Sequence, residues 1–255
     1  HDLLYVPYCD GSLFAGDVDQ DLPPSLVDPS TSGFSFQRGL QNLSAALDVG
    51  GRQFPAPRRI VLAGASGGAF GTISAAPLVR RVYPDAEILV LNDSGLGIAR
   101  DGEPDFIEGL LEGWNALDAI PASCPECTAG GHIVELVAWN LSVDPNLRVA
   151  PITHTRDAVI AGVFLMERDL ARFEAAILRE TGAIAARFPE RYRRFLQPGE
   201  NHSVLLNAVP PVPFSFLGML GGLEEEIDGV SALAWITAAV AGSDAWRDTV
   251  DPSLR

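Results

Sequence analysis

The stretch RRIVLAGASGGAFGT, Arg58 to Thr72, decides how this chain of 255 residues folds. Its first half is a continuous apolar run rich in β-branched residues, the pattern of a strand buried on both faces. It stops at Gly64-Ala65-Ser66-Gly67-Gly68 and resumes with helical spacing. A run of small residues is needed where backbone turns sharply or approaches something closely. Ser66 has three readings. It is the nucleophile of a G-x-S-x-G elbow, the N-cap of an ordinary helix, or part of a phosphate-binding loop. The last requires Gly-Lys-Ser/Thr, and the chain contains no lysine at all. A strand directly before and a helix directly after favour the elbow, because the helix N-terminus turns backbone N–H groups toward the serine.

Around this centre the sequence predicts strands over 3–9, 58–64, 86–93 and within 146–157. Helices are predicted over 34–50, 68–84, 105–117 and 132–143. A Gly/Asp/Pro-rich loop fills the interval to about residue 33. Residues 158–197 read as largely helical with a break near Gly182, and 227–249 as an amphipathic helix followed by a turn. Alternating strands and helices with no linker or repeat imply one α/β domain over 1–255, its mostly parallel sheet covered by helices on both faces.

Composition narrows the function. The formal charge is −15, which repels nucleic acid and anionic lipid. No apolar run reaches the ~18 residues of a membrane span. There is no basic, then apolar, leader at the start, so the chain is expected to continue upstream or to have lost an export signal. Cys124 and Cys127 stand as C-x-x-C, with His132 as the one nearby candidate for a further zinc ligand. Zinc would need two further ligands, so a local disulfide in an exported protein is the preferred reading. Cys9 is then left over. No metal or cofactor is expected, and the oligomeric state is open.

A serine nucleophile needs a base, usually a histidine held by a carboxylate. Of four histidines, His1 is terminal, His132 opens a helix and His154 ends a strand. His202, late and in a loop, fits the Ser…Asp…His chain order of α/β-hydrolases. Asp157, just past a late strand, is the matching acid, and Asp93 is a serious competitor. Asp144 and Glu200 rank behind. Arg191, Arg193 and Arg194 read as a solvated helix face, and 209–222 as an apolar loop that packs the core or lines an acyl pocket. N-x-S sequons occur at Asn42, Asn92, Asn140 and Asn201.

The segments VPYCDGSLFAGD (6–17), LAGASGGAFGT (62–72) and LNDSGLG (91–97), taken together, resemble the pectin acetylesterase and Notum-type carboxylesterases, bacterial members included. The likeness extends from about residue 5 to residue 248. It implies an α/β-hydrolase fold and a cofactor-free Ser-Asp-His esterase, with the triad on Ser66, Asp157 and His202. Gly67 becomes an oxyanion donor, and Asp10, Gly11 and Asp93 border the pocket. The family's glycine-rich loop has no counterpart before residue 5, so the second oxyanion donor is expected from an upstream segment. The implied substrate is a short-chain or O-acetyl ester, on a carbohydrate or a small alcohol, and the implied location is secreted or periplasmic in a bacterium. A non-catalytic binding protein on the same scaffold, or a lipase or acyltransferase with the same triad, are the alternatives.

Overall fold

A computed structural model of the chain describes residues 2–21, 34–205 and 222–255. The predicted strand at 3–9 does not form. That segment is irregular and Leu3 and Tyr5 are exposed, because no strand among the described residues pairs with it. Regular structure begins instead inside the polar loop, with an antiparallel hairpin of β1 (Val18–Asp21) and β2 (Phe34–Gln37). Helix α1 (Gly39–Gln53) therefore starts later than its periodicity suggests and buries Leu43 and Leu47.

Then follow β3 (Arg59–Ala65), α2 (Gly67–Val82), β4 (Glu87–Asp93), α3 (Pro104–Gly113), α4 (Val134–Val143) and β5 (Leu147–His154). After a short π-helical turn over Val159–Phe164 come α5 (Leu170–Arg187) and β6 (Phe195–Gln197). The hairpin of β7 (Glu226–Ile227) and β8 (Val230–Ser231) leads into α6 (Ala232–Ala241), and β9 (Thr249–Val250) closes the order. Helix α5 runs straight through Gly182, where a break is predicted. The three-residue β6 is hidden in sequence that reads as helix.

Five strands form one parallel sheet in the order β3-β4-β5-β6-β9. Strand β4 shows why this is an α/β layering. Ile88 and Val90 join the larger cluster with residues of α2, α4 and α5, whereas Leu89 and Leu91 face the opposite cluster with Trp235 of α6. Strand β3 departs from the prediction of burial on both faces: it lies at the sheet edge, and Val61 is 40% exposed. Pro77 sits inside α2 and removes the N–H that would satisfy the Ile73 carbonyl. The amide of Asn140 donates to that carbonyl at 3.0 Å, which fastens α4 to α2.

The five strands of this sheet are parallel, so the segments leaving the ends of β3, β4, β5 and β6 gather at one edge of it. Ser66, Asp157 and His202 lie in those segments, and Asp93 is the last residue of β4.

Candidate active site

Ser66 joins β3 to α2 with φ 55° and ψ −122°, a backbone conformation that non-glycine residues rarely adopt. Such strain persists only where its surroundings impose it. The Ser66 N–H donates to the Asp93 carbonyl at 2.8 Å, and the Ser66 carbonyl accepts from Ala69 and Phe70 as the helix begins. The small neighbours are required by space. A Cβ at Gly64 would stand 2.1 Å from the Gly68 carbonyl oxygen, and one at Gly95 would stand 2.7 Å from the Ser66 carbonyl oxygen. The capping reading of Ser66 fails, since its side chain makes no capping hydrogen bond. Gly67 opens the helix with the Tyr8 ring against it; a Cβ there would lie 2.8 Å from a ring carbon. Tyr8 is itself held by Phe14, at 5.2 Å between ring centroids, and by the Leu13 N–H donating to its hydroxyl at 3.2 Å.

Asp157 and His202 meet in the segments beyond β5 and β6. Main-chain bonds zip these segments together, from Thr155 to Gln197, Arg156 to Gly199 and Ala158 to Glu200. The Asp157 Oδ2 lies 2.7 Å from His202 Nδ1. Its Oδ1 accepts from the backbone of Val159 and Ile160 at 3.0 and 2.9 Å. Both side chains are buried, Asp157 almost completely. With a carboxylate as the acceptor, Nδ1 carries the proton and Nε2 keeps its lone pair.

Asp93 does not line an open pocket; it is fully buried. Its carboxylate accepts from Ser203 Oγ at 2.7 Å, Val204 N at 2.9 Å, Leu205 N at 2.7 Å and Ser94 Oγ at 3.1 Å. Burial pushes its pKa up, and these donors offset only part of that rise. Asp10 is half-buried and turns its own loop, accepting from the Ser12 N–H and hydroxyl, while Gly11 is exposed at φ 72°.

The other candidates have structural partners. His154 Nε2 lies 2.9 Å from Glu225, and His132 Nδ1 accepts from the Ala99 N–H. Asp144 pairs with Arg80 at 2.7 Å, and Glu200 is exposed. The three arginines do not form a solvated helix face: they follow the end of α5. Arg191 donates to the Leu141 and Asp144 carbonyls, Arg193 stacks on Trp246 and Arg194 pairs with Asp248. Cys124 and Cys127 form a buried disulfide, and Cys9 is free and exposed. Among the described residues no group of His, Cys, Asp and Glu could hold a metal, and no helix is long and apolar enough to cross a membrane. The amides of Asn92 and Asn140 are buried in hydrogen bonds, so neither sequon is open to a glycan in the folded chain. The apolar loop lies mainly in 206–221, outside the described residues.

The fold has known counterparts. Two crystal forms of the Wnt deacylase Notum from Drosophila superpose on this chain with TM-scores of 0.59 and 0.57, at 15% and 14% identity. Each alignment covers 96% of this chain, and 70% and 69% of Notum respectively. No curated protein matches the chain. The sequence model of the pectinacetylesterase family matches residues 2–116, the part that carries the elbow and the NDSG turn. Over that segment the sequence is similar to the pectinacetylesterases, and the fold of the chain is that of an α/β-hydrolase.

Proposed function

We propose that this chain is a single-domain serine hydrolase of carboxylic esters, with Ser66 as nucleophile, His202 as base and Asp157 as the group that orients the base. One observation carries the reading: a strained serine elbow shares a sheet edge with a buried His202–Asp157 contact of 2.7 Å. The family match over the elbow supports it.

Asp157 accepts a hydrogen bond from Nδ1–H and leaves Nε2 free to take the Ser66 proton as Oγ attacks the ester carbonyl carbon. The imidazolium that results is stabilised by Asp157 and gives its proton to the departing alcohol. The Gly67 N–H, at the positive end of α2, donates to the oxyanion. Water, deprotonated by His202, then releases the acid from the acyl-enzyme. Protonated imidazole cannot accept a proton, so activity is lost on the acid side.

The relatives' names cover an acetyl ester of pectin and deacylation of Wnt. Short-chain or O-acetyl esters on carbohydrate are the favoured class here, in keeping with the family match over the elbow. The Cys124–Cys127 disulfide supports work outside the cytosol.

The test is hydrolysis of 4-nitrophenyl acetate, butyrate and octanoate by wild type and by Ser66→Ala. Wild-type turnover, with loss of at least about 10³-fold in a folded mutant, is expected. No wild-type turnover on any ester, or full activity in the mutant, overturns the reading.

A further inference from the structure

A second buried carboxylate lies at the same edge, and the mechanism above does not use it. Asp93 touches both halves of the site. Its carbonyl accepts the Ser66 N–H at 2.8 Å, and its carboxylate holds Ser203, Val204 and Leu205, the three residues directly after His202. The Ser203 N–H also donates to Ser94 Oγ at 3.1 Å, and that hydroxyl donates back to Asp93. Ser203 is held at φ 60°, a conformation that an unsupported serine would leave.

A carboxylate buried without a cation is costly, and an amide or hydrophobic residue would ordinarily be cheaper. Here every contact on it is a donor, two N–H and two O–H groups, which together fill the four lone-pair sites of an ionised carboxylate. An asparagine would turn one oxygen into an NH₂ facing two of those donors. The site is therefore built for an anion, and what that anion fixes is the chain carrying His202.

We propose that Asp93 is the positioning residue that sets His202 against Ser66, holding the serine by its carbonyl and the histidine segment by its carboxylate. This inference rests on the esterase reading. Asp157 aims the imidazole ring, whereas Asp93 fixes the backbone from which the ring hangs.

The test combines kinetics with a signal that needs no activity. Asp93→Asn should lower kcat by up to about 10²-fold, the cost of an ångström-scale misplacement, with KM nearly unchanged. In a His202→Ala background the same substitution should cost almost nothing more, because there is no base left to misplace. The downfield Nδ1–H proton resonance of His202, assigned by its absence in His202→Ala, should broaden or vanish in Asp93→Asn. If Asp93→Asn does not fold, the Ser94→Ala/Ser203→Ala double variant replaces it and should give the same pattern at smaller amplitude. Full kcat with an unchanged resonance overturns the proposal. So does an equal loss with and without His202, which would mark a residue that only stabilises the fold. If wild type hydrolyses no ester while the resonance behaves as expected, the esterase reading fails and the positioning role stands.

Discussion

The segments leaving β4 and β5 run to the same edge of the sheet, and each buries an aspartate there. Beyond β5, Asp157 spends one oxygen on two backbone N–H groups and keeps the other for a ring nitrogen. At the end of β4, Asp93 spends both oxygens on the hydroxyls and backbone of its surroundings and faces no titrating ring. One arrangement leaves a side chain ready for proton transfer. The other makes a joint. Burial is alike in the two, so the partners decide what a buried carboxylate does.

The widest separation between the two segments should come from Asp157→Asn. It should lower kcat/KM by about 10⁴-fold, the loss typical of a triad aspartate, with little change in melting temperature. Kinetics and a thermal melt on one preparation check this, and equal stability losses at positions 93 and 157 would erase the contrast. Gly95→Ala probes how the β4 segment packs against the elbow and α2. Its new Cβ would stand 2.5 Å from the Ala69 Cβ and 2.6 Å from the Phe70 nitrogen, so strain should cost about 1–3 kcal/mol in a urea titration. Gly67→Ala should cost less, because what its Cβ meets is a side-chain ring, that of Tyr8, rather than backbone; the readout is a changed preference between acetate and butyrate esters.

The smallest effect concerns pH. His132 braces the β4 segment at Ala99, and burial holds its pKa below the ordinary imidazole value, opposed by Glu180 and Asp101. The unfolded chain therefore takes up that proton first, and stability should fall as pH drops below about 6.5. His132→Gln should flatten the slope of melting temperature against pH between about 7 and 5 while leaving ester turnover intact. An unchanged slope would show that the β4 segment carries no such proton linkage.

Much of this was legible in the chain itself. Residues 58–93 announce strand, elbow, helix and strand because apolar runs and glycines there obey local rules. Asp157 follows from its place just past a late strand, and His202 from its late loop position in the Ser…Asp…His order. The joint at Asp93 was not legible as such, since three of its four donors lie 110 to 112 residues away and two of them are main-chain groups that look alike in any sequence. The short β6 was invisible because its three residues pair as a strand only through the neighbours that β5 and β9 supply. The strand expected at 3–9 had the right composition and lacked a partner.

Gly64 and Gly95 carry a further consequence. Neither has a positive φ, so nothing in their own backbone calls for glycine; each is excluded from change by atoms on the opposite side of a gap. In a saturation library, both positions should tolerate a single letter, while Ser66 between them should accept several at the level of folded protein and only one at the level of turnover. The elbow would then be readable from two selections run in parallel: one for abundance, which keeps the two glycines, and one for hydrolysis, which adds the serine.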